Sequence, residues 1–278
     1  MLRFDHLPFG VANADAARDA FAALGLTATA TGVCRWSQQG RPHEARAVSI
    51  VFPAGYLDLI EVAEPGWIEH LRGSALYARG IAPTGVVLGT DALAECHATL
   101  SARGVAAGRP YEIVRELPGA TPSRLRYEIF PLREPVLPFA IIEDGAPGAM
   151  RTPSWLRHPN AAIGVHRLHL RVPSLETWRS RSSLLLDGSG QRDEIDLRTT
   201  RIVAHEESSD PYLRAVSALL PARERTSLLA VELVVEDLTA TRAALARGAV
   251  PTIDVDGGIG VVPAAGFGCG FVFRETPS

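Results

Sequence analysis

The sequence predicts an α+β protein made of four copies of one unit, strand–helix–strand–strand–strand, paired two and two into tandem domains. Three observations carry that reading. A strand–turn–helix–stop pattern recurs four times, short alternating segments bounded by Gly or Pro follow the copies, and a Gly/Pro-rich stretch separates the second copy from the third. A single such unit cannot cover both faces of its small sheet, so the units are expected to pair.

The first copy reads "FGVANADAARDAFAALGL": Asn13 is placed to cap a helix, Ala17, Ala20, Phe21 and Leu24 share one face, and Gly25 stops it. The second, "VVLGTDALAECHATLSARGV", offers Asp91 as cap, Leu93, Cys96, His97 and Leu100 as the face, and Gly104 as stop. The third, "VHRLHLRVPSLETW", is less regular and opens its helix at Pro173 and Ser174. The fourth, "VELVVEDLTATRAALARGAV", repeats the pattern with Asp237, Leu238, Leu245 and Gly248. Strands are expected at "ARAVSIVF" and "GYLDLIEV", at "SRLRYEIF" and "VLPFAIIED", and at "GIGVV" and "GCGFVFRE". The stretch "GAPGAMRTPSWLRHPNAA" suits a linker. The expected domains are therefore 1–145 (units 1–64 and 82–145) and 163–278, joined by a linker at 146–162.

Composition narrows the function classes. The 278 residues carry a formal net charge of −3 with arginines interspersed among acids, so no basic face for nucleic acid is expected. No lysine occurs, which excludes Schiff-base, lysine-anchored pyridoxal phosphate and P-loop chemistry. The three cysteines are scattered, with no CxxC, so neither a disulfide framework nor a thiolate zinc site is suggested. Neither a signal-peptide pattern nor a membrane-length apolar stretch is apparent, so a cytoplasmic protein without membrane contact is expected.

The "DH" of the first strand, the helix ending "ALGL" and the closing strand "GYLDLIEV" resemble the vicinal oxygen chelate superfamily of glyoxalase I, bleomycin-resistance proteins and extradiol dioxygenases. "LPFAIIED" and "RHPNAA" are similar to motifs of its glyoxalase-like domain family. The resemblance implies that each pair of units forms a glyoxalase-like domain around a cupped, mixed and antiparallel sheet, with a small-molecule ligand and a metal inside the cup. It also implies homodimers as a possible assembly.

Strand alternation says which side chains face that cup. In the first strand Leu7, Phe9 and Val11 belong to the helix side, so Phe4, His6, Pro8 and Gly10 face the cup. In "GYLDLIEV", Tyr56, Asp58 and Ile60 do so. His6 and Asp58 thus share a face and match two of the four positions at which metal-dependent relatives keep ligands. They are the expected catalytic residues and the expected half-site for one divalent metal (Zn, Ni, Mn or Fe), with Phe4 and Tyr56 beside the substrate. The other two positions fall on Gly85 and Ala140, and Glu143 would need a bulge to help. In the second domain the same positions fall on Arg167, Ala230 and Val272. Neither domain shows a two-His-one-carboxylate set, which argues against an extradiol dioxygenase.

Without metal, an Asp58 contact would orient His6 as a general base. Arg167 and His169, with Arg171, alternate on one strand face and read either as an anion pocket that binds substrate or as a solvated face. "VAHEESSD" reads as the start of a solvated loop rather than a metal cluster. His43 and Trp36 read as rim or surface residues, and Trp67 and Trp155 as packing for the linker. The expected function is a small-molecule enzyme of lyase or isomerase type working in the first cup. The alternative is a non-catalytic protein that sequesters a small molecule there.

Overall fold

The structure is a computed structural model that describes residues 2–38, 40–61, 75–77, 79–117, 123–144, 148–186, 192–221, 225–265 and 267–275. Trp67 lies outside the described residues. The first unit is β1 (Arg3–Val11), α1 (Ala14–Ala23), β2 (Gly32–Gln38), β3 (Arg41–Val51) and β4 (Tyr56–Glu61). A short β5 (Ile81–Pro83) leads into the second unit: β6 (Val86–Gly89), α2 (Leu93–Ala102), β7 (Tyr111–Leu117), β8 (Ser123–Pro131) and β9 (Phe139–Asp144). Their sheet runs β4-β3-β2-β7-β8-β9-β6-β1-β5, and β4 also pairs with β1, so eight strands close into a ring. The units meet at β2–β7 and β1–β6, both antiparallel, while β1–β4 and β6–β9 are parallel.

The second sheet is open. It runs β11-β12-β10-β13-β16-β15-β14, from β10 (Ala162–Arg171), β11 (Glu194–Asp196), β12 (Arg201–His205), β13 (Ser227–Val235), β14 (Thr252–Val255), β15 (Gly258–Val261) and β16 (Gly270–Glu275). Helix α3 (Leu175–Ser182) belongs to the third unit and α5 (Leu238–Arg247) to the fourth. Among the described residues the third unit has two strands after its helix rather than the expected three. Helix α4 (Pro211–Leu219) intervenes where the sequence reading placed a solvated loop. Its start follows ordinary capping: Asp210 accepts from the N–H groups of Tyr212 and Leu213, and Pro211 opens the first turn.

One device recurs in all four units. The glutamate at or next to the end of the last strand accepts from the first helical N–H: Glu61 from Ala14, Glu143 from Leu93, Glu206 from Leu175 and Glu275 from Leu238, at 2.8–3.2 Å. A carboxylate there satisfies an orphan donor and faces the positive end of the helix dipole. Asn13, Ser174 and Asp237 cap as expected. Asp91 does not; it pairs with Arg3 Nη1 at 2.7 Å, and no side chain caps α2 at Ala92.

The helix-side faces of both sheets share one apolar cluster. Phe21 of α1 packs edge-on against Phe9 of the first sheet, against Phe271 of the second and against Phe267 just before β16. Helix α1 meets the end of α5 at Gly248, where a Cβ would lie 1.9 Å from the Ala23 carbonyl oxygen. The "RHPNAA" segment ties this junction. His158 Nδ1 accepts from Thr27 N–H and its Nε2 donates to the Val51 carbonyl, while Asn160 Nδ2 donates to Leu24 O at the end of α1.

Candidate functional site

The closed ring encloses a cavity of about 490 Å³, within the usual range for small-molecule sites. His6 and Pro8 of β1, Tyr56, Asp58 and Ile60 of β4, Gly85 beside β6 and Ala140 of β9 line it. Leu7, Phe9, Val11, Leu57 and Leu59 lie in the helix-side core, as alternation requires. Phe4 breaks the rule. It belongs to the helix-side core rather than the cup, because β1 carries a bulge: Phe4 pairs with Leu88 and His6 with Val87, leaving Asp5 as an inserted residue. The expectation that Phe4 touches a ligand is therefore corrected.

The bulge also chooses the partner of His6. Asp5 Oδ1 lies 2.7 Å from His6 Nδ1, and the His6 ring stacks on Tyr56 with centroids 4.5 Å apart. Asp58 is not that partner. Its Oδ1 accepts from Ser49 Oγ at 2.6 Å and from Arg115 Nη1 at 2.9 Å. Arg115 is 1% exposed, so this is a buried ion pair at the floor of the cup. Burial alone would lower the guanidinium's pKa, but the Asp58 carboxylate together with Cys34, Tyr127 and Tyr56 raises it above its ordinary value, and the group stays charged. Burial lifts the Tyr56 hydroxyl far above its ordinary range and pushes the Cys34 thiol up to about 11, so neither ionises near neutrality.

These partners decide the metal question. A divalent ion between His6 and Asp58 would sit against a guanidinium 2.9 Å from the ligating oxygen. Glu143, the third donor considered, is spent on capping α2. Among the described residues, no group of three or more His, Cys, Asp or Glu side chains is arranged to hold a metal ion. The half-site expected at His6 and Asp58 therefore does not fit a divalent metal.

Arg115, Asp5 and Ser49 escaped the sequence reading. Arg115 was within its reach: in "YEIVREL", Tyr111, Ile113 and Arg115 share a parity, and all three line the cup. A lone arginine on an apolar strand face is a signal. Asp5 was out of reach, since only the bulge brings it to His6. Trp36 and His43 occupy paired strand positions and stack at 5.3 Å, with Trp36 lining the cup. Met150, with Trp155 and Leu156 against it, joins the cup-side apolar cluster, the packing suggested for Trp155.

In the second domain a cavity of about 300 Å³ is lined by Arg167, His169, His205, Glu232 and Arg274. Its basic side chains are already engaged. Arg167, Arg274 and His169 lie 3.4, 3.0 and 3.6 Å from the buried Glu232 carboxylate, and His169 Nδ1 contacts His205 Nε2 at 3.0 Å. Burial would raise the Glu232 pKa; His169, Arg274 and Arg167 hold it below the ordinary value. Arg171 leaves the expected anion pocket altogether and donates to the Ser217 and Pro221 carbonyls at the end of α4. A broader open groove of about 1140 Å³ lies between α2 and the α3–β11 region. Its ionic groups pair locally, as in Arg179–Asp193, whereas the first cup sets His6, Asp58 and Arg115 in a mostly apolar lining, which makes it the better site.

Among the described residues, no helix is long and apolar enough to cross a membrane. No curated protein matches the chain. Among solved structures, a hypothetical protein from Staphylococcus aureus aligns over 99% of this chain and 100% of its own, with TM-score 0.61 and 11% identity. A mutant of 4-hydroxymandelate synthase from Streptomyces coelicolor aligns over 99% and 93%, with TM-score 0.57 and 11% identity. A xylose isomerase-like TIM barrel/4-hydroxyphenylpyruvate dioxygenase fusion protein aligns over 91% of this chain and 40% of its own, with TM-score 0.53 and 13% identity. At these identities the likeness is one of fold. The glyoxalase-like domain family matches residues 4–186, spanning the closed cup and reaching past α3. With about two-thirds of its length so matched, the chain belongs to the glyoxalase-like domain family.

Proposed function

We propose that the first cup binds one small, largely apolar organic molecule and that His6 moves a proton on it, in a lyase- or isomerase-type reaction. The observation that carries this reading is the 2.7 Å contact of Asp5 with His6 Nδ1, made by a ring that also lines the cavity. A carboxylate on Nδ1 keeps the proton on that nitrogen and leaves Nε2 as the base. When Nε2 takes a proton, Asp5 stabilises the imidazolium, and the ring can return the proton to a neighbouring atom. Sequestration without chemistry is the second reading, favoured by the apolar residues that make up most of the lining, such as Ile60, Val86, Ile113 and Phe139.

One experiment separates the two. Alkyl and aryl carbonyl compounds with acidic α C–H groups are incubated with the protein in deuterium oxide, and loss of the α-proton signal is followed by NMR. Proton transfer predicts exchange that falls by about 10²-fold or more in His6→Asn and by less in Asp5→Asn. Binding of panel members without exchange above buffer assigns the cup to sequestration.

A further inference from the structure

Arg115 is more than the partner of Asp58. Its guanidinium carries five N–H donors, and Nη1 serves Asp58. Nε and Nη2 are buried with no hydrogen-bond partner. These two nitrogens lie on the same edge of the guanidinium and present parallel N–H bonds, the arrangement that receives a planar pair of oxygens. Buried donors are rarely left unmet, so an unpaired edge beside a cavity calls for an acceptor.

We infer that the ligand of the first cup is a carboxylate on an apolar body, docked through its two oxygens on the Nε–Nη2 edge of Arg115. The inference rests on the reading of this cup as a ligand site and specifies what enters it. A carboxylate matches the fork in shape and adds a single negative charge. A phosphate dianion would add two charges against one guanidinium already shared with Asp58. The body is apolar because most of the wall is apolar, Ile60, Val86, Ile113, Ile129, Phe139 and Ile142 among it. Arg115 thereby stands at Asp58 in the place where a metal-dependent relative would keep a cation, and it offers the ligand a fork instead of open coordination positions.

The test uses ¹⁵N-labelled full-length protein with benzoate and 2-naphthoate, each against its neutral amide. The carboxylates are expected to bind at least about tenfold more tightly than the amides. They are also expected to move the Arg115 Nε–H resonance, assigned by its disappearance in Arg115→Lys. That variant keeps the charge and loses the fork, so carboxylate affinity should fall about tenfold while amide affinity holds. Because Arg115→Lys can unsettle the floor, the double variant Arg115→Gln/Asp58→Asn, which removes both charges together, is measured alongside and should lose the carboxylate preference. Equal affinity for acid and amide overturns the inference, as does carboxylate binding that leaves the Nε–H resonance still, or no binding of either acid. Proton exchange that depends on His6 without a carboxylate preference would keep the proposed reaction and remove Arg115 from it. Carboxylate docking without exchange would do the reverse.

Discussion

In the first domain β1 pairs with both β4 and β6, and the ring closes around a hollow of about 490 Å³. In the second, β11 and β14 are the unpaired edges among the described residues, and α4 packs on the cup-side face of the sheet. Tyr212, Leu213 and Val216 of α4 pack with Ala230 and Val272, which occupy the positions that hold His6 and Asp58 in the first cup. The Tyr212 hydroxyl reaches the Val261 and Phe271 carbonyls at 2.9 Å, and a Cβ on Gly270 would lie 2.6 Å from it. One repeat has thus given a vessel and a plugged scaffold. His6 and Asp58 face a cavity of about 490 Å³, whereas α4 packs on the equivalent Ala230 and Val272 and leaves a smaller cavity of about 300 Å³ beside it.

The largest expected effect lies on the polar floor. Arg115→Ala strands the Asp58 carboxylate in a buried site and should lower stability by about 3–5 kcal/mol in urea denaturation. Replacing both partners together, as Arg115→Met/Asp58→Leu, should restore most of it; a double variant as unstable as the single one would mean that packing, not charge, is at stake.

The next test sets equivalent positions against each other. Ala230→Leu pushes into α4 and should cost about 1–3 kcal/mol. Ala140→Leu projects into the hollow and should stay within about 1 kcal/mol while blocking ligand binding. Similar costs at both sites would erase the contrast between vessel and plug.

The domain junction should respond to acid. Burial holds the His158 pKa below its ordinary value, and its Nδ1 must stay unprotonated to accept from Thr27. The stability it contributes is complete above the unfolded imidazole value of about 6.5 and is lost as pH falls from there through the folded value. Each tenfold difference in proton affinity between the folded and unfolded chains is worth about 1.4 kcal/mol. Thermal unfolding of the parent should show this loss as pH falls below about 6.5, and His158→Gln should flatten it; an unchanged slope would place the acid sensitivity elsewhere.

The smallest effect concerns the open edge. Ile253 on β14 is an exposed large apolar residue, 39% accessible. Ile253→Lys should change stability by less than about 0.5 kcal/mol and reduce any self-association through that edge, read by light scattering.

Local signals carried much of this. The cap residues Asn13, Ser174 and Asp237 and the alternation of β4 were legible because each depends on a few adjacent residues. Helix α4 is equally legible in "DPYLRAVSALL", where Asp210 caps and Pro211 opens the first turn. Phe4 and Asp5 could not be read, since a one-residue bulge reverses parity and leaves no mark in composition. Asp58 was placed on the right face with the wrong partner: a carboxylate beside a histidine suggests a metal, while the arginine that neutralises it stands 57 residues further along.

By itself the sequence determined the repeat, the helix boundaries at most caps and the side of β4 that faces a cavity, because these follow from hydrogen-bonding and alternation rules acting over a few residues. Only the tertiary structure decided whether each sheet closes, what fills it and which charges meet on its floor. Those outcomes rest on pairings between distant strands, β2 with β7 and β1 with β6, and on the desolvation that forces Asp58 and Arg115 together once the ring has shut.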